Sequence, residues 1–73
     1  MTYGERAVGL SFNPSGSDTV TALNTDFAGI IDLLDQARNH PSTSAEQKRL
    51  CSIAITEAQG AQMWAVKAAT WVD

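Results

Sequence analysis

The chain has 73 residues, a formal net charge of −3, one cysteine and one histidine. That length makes one small domain, which buries only about 60% of the surface its unfolded form exposes and is therefore marginally stable alone. One cysteine excludes an internal disulfide, the ligands for a structural zinc site are missing, and five cations (Arg6, Arg38, Lys48, Arg49 and Lys67) against eight acids do not suit a DNA or RNA polymer. No metal or cofactor is expected. Small folds without such staples gain stability by oligomerising, so self-association is the expectation. No apolar run approaches the ~20 residues that cross a bilayer, and Met1-Thr2-Tyr3-Gly4-Glu5-Arg6 lacks the layout of a signal peptide, so the expected location is the cytoplasm.

Residues 1–16 form an arm without a sustained period. Thr2-x-x-Glu5 matches a capping box, but only a turn or two of helix can follow before Gly9. Tyr3, Val8, Leu10 and Phe12 are too apolar for a solvated tail and belong across a helix face or against a neighbouring subunit. Arg6 is the arm's cation. As an isolated charge it reads as a surface residue as readily as a ligand contact.

The arm ends in Phe12-Asn13-Pro14-Ser15-Gly16-Ser17-Asp18. Pro14 drives Asn13 toward an extended conformation, and Pro14, Ser15 and Gly16 suit a turn. Ser17 or Asp18 then caps a helix. An aromatic ring, an amide and free N–H groups at a positive helix end could stack a base, read a base edge and hold phosphate. Taken by itself, the same stretch reads more readily as a plain helix start with a good cap, because capped turns are common.

From residue 17 to residue 39 the period is helical. Val20, Leu23, Phe27, Ile30, Leu34 and Ala37 recur three and four apart, with Ile31 and Leu33 widening the stripe. Thr21, Thr25, Asp32, Asp35, Gln36 and Arg38 fall on the other side, and Gly29 is expected to mark a close contact. Asn39-His40-Pro41 stops the helix, since the residue before a proline is driven out of the helical region.

Pro41, Ser42 and Thr43 leave room only for an antiparallel return. Thr43-x-x-Glu46 is a second capping box, with Ser44-x-x-Gln47 as an overlapping alternative. The second helix is expected over residues 44–71. Leu50, Ala54, Ala58, Ala61, Ala65, Ala68 and Val72 line one side, and Ile53, Gly60, Trp64 and Trp71 the adjoining one. So many small residues allow close approach of another helix. Met63, Trp64, Trp71, Ile31 and Leu33 cannot all face one stripe, and are expected to be core residues of an assembly.

Catalysis finds little support. His40 sits in the turn with no nucleophile or carboxylate placed beside it, Cys51 reads as a small buried apolar group, and Asp32 with Asp35 read as a solvated face.

Phe12-Asn13-Pro14-Ser15-Gly16 ahead of the first long helix, and Met63-Trp64-Ala65-Val66-Lys67-Ala68 late in the second, resemble the hairpin domain shared by phage anti-CBASS cyclic-nucleotide sponges and the related Thoeris anti-defence sponges. The resemblance covers nearly the whole chain. It implies an all-α antiparallel hairpin that assembles into a compact homo-oligomer, a hexamer, and sequesters cyclic oligonucleotide second messengers without cutting them. Members of the Thoeris branch also hold cyclic ADP-ribose isomers. The resemblance implies pockets between subunits, with Phe12, Asn13, Pro14, Ser15 and Gly16 contributing and Lys67 as the phosphate cation; Arg6 is a further candidate on general grounds. Relatives often carry a lysine near the position of Asn24, where it meets phosphate or base. Asn24 keeps hydrogen bonding and loses the charge, which tilts the expectation toward cyclic trinucleotides or cyclic ADP-ribose isomers. The rival reading is a small oligomeric helical module that binds a host protein and no nucleotide.

Overall fold

Thr2 starts the chain's first helix with a complete capping box. Its hydroxyl accepts the Glu5 N–H at 3.1 Å, and the Glu5 carboxylate accepts the Thr2 N–H at 2.7 Å. The helix α1, Tyr3–Val8, stops at Gly9, whose φ of 64° glycine adopts without strain. Gly9 N–H bonds to Arg6 O and Leu10 N–H to Glu5 O, the paired bonds of a left-handed helix stop. The computed structural model describes residues 1–11, 13 and 16–73; Phe12, Pro14 and Ser15 lie outside the described residues.

Helix α2, Asp18–Asn39, is capped by Ser17, whose hydroxyl accepts the Val20 N–H. It ends at His40, extended at ψ 136° ahead of Pro41. Helix α3, Ala45–Ala69, uses the Ser44–Gln47 capping box rather than the overlapping Thr43–Glu46 pair. Thr43 instead donates its hydroxyl to the Ala37 carbonyl, which ties the connection shut, and Glu46 pairs with Arg49. The last helix stops short of the expected Trp71: Thr70 leaves helical geometry at φ −106°, ψ 7°.

All three elements are helical. The long pair α2 and α3 forms the hairpin, and α1 lies mainly along α2 while also touching α3. The chain measures 47 × 23 × 12 Å, one helix thick in its thinnest direction. Its radius of gyration is 13.6 Å, against about 11 Å for a rounded chain of this length. A slab that thin has little interior. The buried core is Val8, Ala28, Ile31 and Ile55, flanked by Ala7, Leu10, Phe27, Leu34 and Ala58, with Val20 buried nearer the start of α2.

The helices are rotated from the expected phase. On α2 the buried line is Val20, Asn24, Ala28 and Ile31, whereas Ile30 and Leu33 face outward. On α3 the buried positions are Ile55 and Gln62, and Leu50, Ile53 and Ala61 are exposed. Ile31 is fully buried within the single chain, which corrects its expected place in an assembly core. Asp32 does not lie on a solvated face: it accepts the Gly4 N–H at 2.7 Å, and Asp35 pairs with Arg38 at 2.9 Å. Gly29 marks no close contact, since a side chain there meets open space. The close approach is at Gly4, where a Cβ would collide with the Ala28 carbonyl of α2. Cys51 is half-buried rather than enclosed.

Candidate functional site

The arm helix sits where it does because three groups on the long helices hold its backbone. Asp32 holds the Gly4 N–H. Gln59 Nε2 donates to Ala7 O, and Gln62 Nε2 to Val8 O, both at 3.2 Å. Arg38 reinforces the start of the arm. Its guanidinium lies 5.0 Å from the centre of the Tyr3 ring, and its Nη1 donates to Ser52 Oγ at 3.2 Å. Hydrogen bonding to Tyr3, and then to Asp35, holds its pKa above the ordinary arginine value. This cation is therefore committed to joining the three helices.

Between the arm and α3 runs an open groove of about 480 Å³, walled by Ala7, Val8, Gly9, Gln59, Gln62, Met63 and Val66, with Arg6 at its edge. A second hollow of about 310 Å³ opens further round α3, between Gly60, Met63, Trp64 and Lys67. Met63 lines both, so the two are neighbours on α3. Lys67 Nζ lies 5.2 Å from the Trp64 ring centre and 6.0 Å from that of Trp71, a cation held over aromatic faces. Each hollow thus has apolar walls and one basic side chain, a combination able to hold a flat, anionic ligand.

The other expected site residues fall as follows. Asn13 turns its amide inward along the chain: Nδ2 donates to Ser17 O at 2.8 Å and Thr21 Oγ1 at 3.0 Å, and Oδ1 accepts the Ser17 N–H at 3.2 Å. The amide spans the helix start and braces it. Gly16 is exposed, with φ 64° and its N–H on Asn13 O. Phe12, Pro14 and Ser15 belong to the residues outside the description. Asn24 is 1% exposed and its Oδ1 accepts a 2.7 Å bond from Gln62 Nε2, so in this arrangement it lies beneath the surface of the single chain. Within the single chain this side chain packs between α2 and α3. Arg6 is exposed, and its Nη1 donates to Met1 O at 3.1 Å.

Gln59 and Gln62 escaped the reading of the sequence, although a signal was present. They stand three apart on a helix where Ala58, Gly60, Ala61 and Met63 flank them, and polar side chains among such neighbours need partners there. His40 stays in the turn, exposed, with Nδ1 accepting the Ser42 N–H. It lies roughly 25 Å of helix from the grooves on α3. Among the described residues no group of three His, Cys, Asp or Glu side chains is placed to hold a metal, and no helix is long and apolar enough to cross a membrane.

Leu33, Met63, Trp64 and Trp71 are 64–71% exposed on a chain with few buried apolar residues among those described. Comparison with known proteins gives one family: the model described as Acb2/Tad1, hairpin domain, matches residues 5–70. No curated protein and no solved structure matches significantly. The match takes in the arm helix from Glu5 onward, both long helices and both hollows, and the all-helical hairpin agrees with it. On that ground the chain belongs to the Acb2/Tad1 hairpin family, the anti-CBASS and Thoeris sponge family.

Proposed function

We propose that this protein is a phage sponge that binds cyclic oligonucleotide immune messengers in the host cytoplasm and holds them uncut, which starves CBASS or Thoeris effectors of their activating signal. The family match over residues 5–70 carries this reading, since membership points to a sponge role in general. The messenger is a cyclic dinucleotide, a cyclic trinucleotide or a cyclic ADP-ribose isomer. With Asn24 buried, the candidate cations for phosphate are Lys67 and Arg6, each beside an apolar hollow. Phe12 is assigned to stacking, and Pro14, Ser15 and Gly16 to the shape of the loop. Asn13 contributes by bracing that loop, because its amide already spans Ser17 and Thr21. No cofactor, membrane or nucleic-acid polymer enters this reading.

The working form is a homo-oligomer, a hexamer. Exposed Trp64, Trp71, Met63 and Leu33 would be covered there, and residues of neighbouring copies would complete the pockets. Preformed pockets lose little ordering entropy on binding, which suits tight binding without turnover.

The test is a melting curve of the purified protein with a panel of cyclic dinucleotides, cyclic trinucleotides and cyclic ADP-ribose isomers. At least one ligand should raise the melting temperature and return intact on chromatography after heat release. Phe12→Ala should abolish that shift at unchanged oligomer mass. A flat response to the whole panel would transfer the assignment to the host-protein module, and a cleaved product would make the protein an enzyme.

A further inference from the structure

Three amide groups meet where the arm touches the hairpin, and their polarity is set in sequence. Val8 O can only accept, so it fixes the Gln62 carboxamide with Nε2 toward it. The other hydrogen of Nε2 then points at Asn24 and requires Oδ1 there, 2.7 Å away. Asn24 Nδ2 is left enclosed with no partner among the described residues, on a side chain 1% exposed. Turning both amides over would pair Asn24 Nδ2 with Gln62 Oε1, but would set that oxygen against Val8 O. The arrangement is therefore one that satisfies the arm at the expense of Asn24. Gln62 is itself 8% exposed and lines the groove that carries Arg6.

We propose that Gln62 is a positioning residue: its carboxamide latches the arm to α3 through Val8 O, and so sets where Arg6 stands over the groove and where the ligand loop begins. Its action runs through the arm backbone and needs no contact with a ligand. The consequence for binding rests on the sponge reading above, whereas the latch itself does not.

Gln62→Glu and Gln62→Met test it, with hydrogen exchange on the free full-length protein as the readout. In Gln62→Glu, the introduced carboxyl when protonated can donate to Val8 O and accept from Asn24 Nδ2, so the arm stays docked. An ionised carboxylate faces Val8 O with no hydrogen to give, and the arm lifts. Docking raises the pKa of this carboxyl above its free value of about 4.3, so the latch is intact below that value and is lost as pH rises through the docked pKa. At pH 7 the Leu10 amide, bonded to Glu5 O across the end of α1, should exchange at least tenfold faster in Gln62→Glu than in the unaltered protein. At pH 4 the two proteins should agree within about twofold, while amides of α2 and α3 stay protected at both. Gln62→Met, of similar size and unable to donate, should leave the arm open at either pH.

A general packing defect would speed exchange throughout α2 and α3 without regard to pH, and that result overturns the latch. So does an arm that stays protected in Gln62→Met. The same variants are then titrated with a cyclic dinucleotide and a cyclic trinucleotide, whose affinity for Gln62→Glu should recover at low pH relative to the unaltered protein. If the unaltered protein binds neither these nor a cyclic ADP-ribose isomer, the sponge reading fails and the exchange data still decide the latch.

Discussion

Replacing Gly4 by alanine sets two effects of opposite sign against each other. Alanine is the better helix residue, by about 1 kcal/mol, and α1 is a helix. But a Cβ at this position would run into the Ala28 carbonyl and lie 2.8 Å from Asp32 Oδ1. The obstacle is backbone of a 22-residue helix, which cannot move aside as a side-chain tip would. The arm must lift instead. Lifting gives up the 2.7 Å bond from Gly4 N–H to the Asp32 carboxylate, about 1.5–3 kcal/mol for a bond to a charged group. It also exposes Val8, a further 1.5–3 kcal/mol or so. After the helix gain, the net loss is about 2–5 kcal/mol. A chain of this length has a total stability of about 4–11 kcal/mol, so the loss is a large share of it. Thermal unfolding followed by circular dichroism should show a melting temperature lowered by at least about 8 °C, at about 4–8 °C per kcal/mol. Hydrogen exchange should show the Leu10 amide deprotected first. A melting temperature raised by about 4–8 °C, as helix preference alone dictates, would refute the reasoning about close approach.

Ile31→Ala empties the most enclosed side chain of the core and should cost about 2–5 kcal/mol, enough to show as lost helicity at room temperature in dilute protein. Full helicity with an unchanged melting curve would place the core elsewhere. Trp64→Ala removes a side chain that is 71% exposed in the single chain, so helicity should hold while, on the proposed oligomer, native mass spectrometry records a smaller assembly; an unchanged mass would remove Trp64 from the interface. Lys67→Glu should weaken ligand binding, and more so at low salt than at high, because the charge is exposed and screened. Equal weakening at both would point to lost packing on Trp64 and Trp71 rather than lost charge.

Helix boundaries were written locally, and the chain alone determined them closely. Ser17, Ser44 and Gln47 cap by bonds that span three residues or fewer, Gly9 supplies the left-handed stop, and Pro41 bars its neighbour from the helix. A five-residue connection, 40–44, then leaves only an antiparallel hairpin, and the same order of elements carries the family resemblance. Rotation of those helices about their axes was decided by tertiary packing. Periodicity gives the spacing of apolar residues but not which of two adjacent lines is buried, and on α2 the stripe from Val20 to Leu34 is wider than the contact it makes. The arm settled the matter. Docking Gly4 on Ala28 and Asp32 turned α2 so that Asn24 faces inward, while Ile30 and Leu33 were left to solvent. It also required donors on α3 for the carbonyls of Ala7 and Val8, which Gln59 and Gln62 supply from across more than fifty residues of chain. Polar groups placed inside by a contact so distant in sequence leave almost no local signature, because each depends on the unmet backbone group it must satisfy.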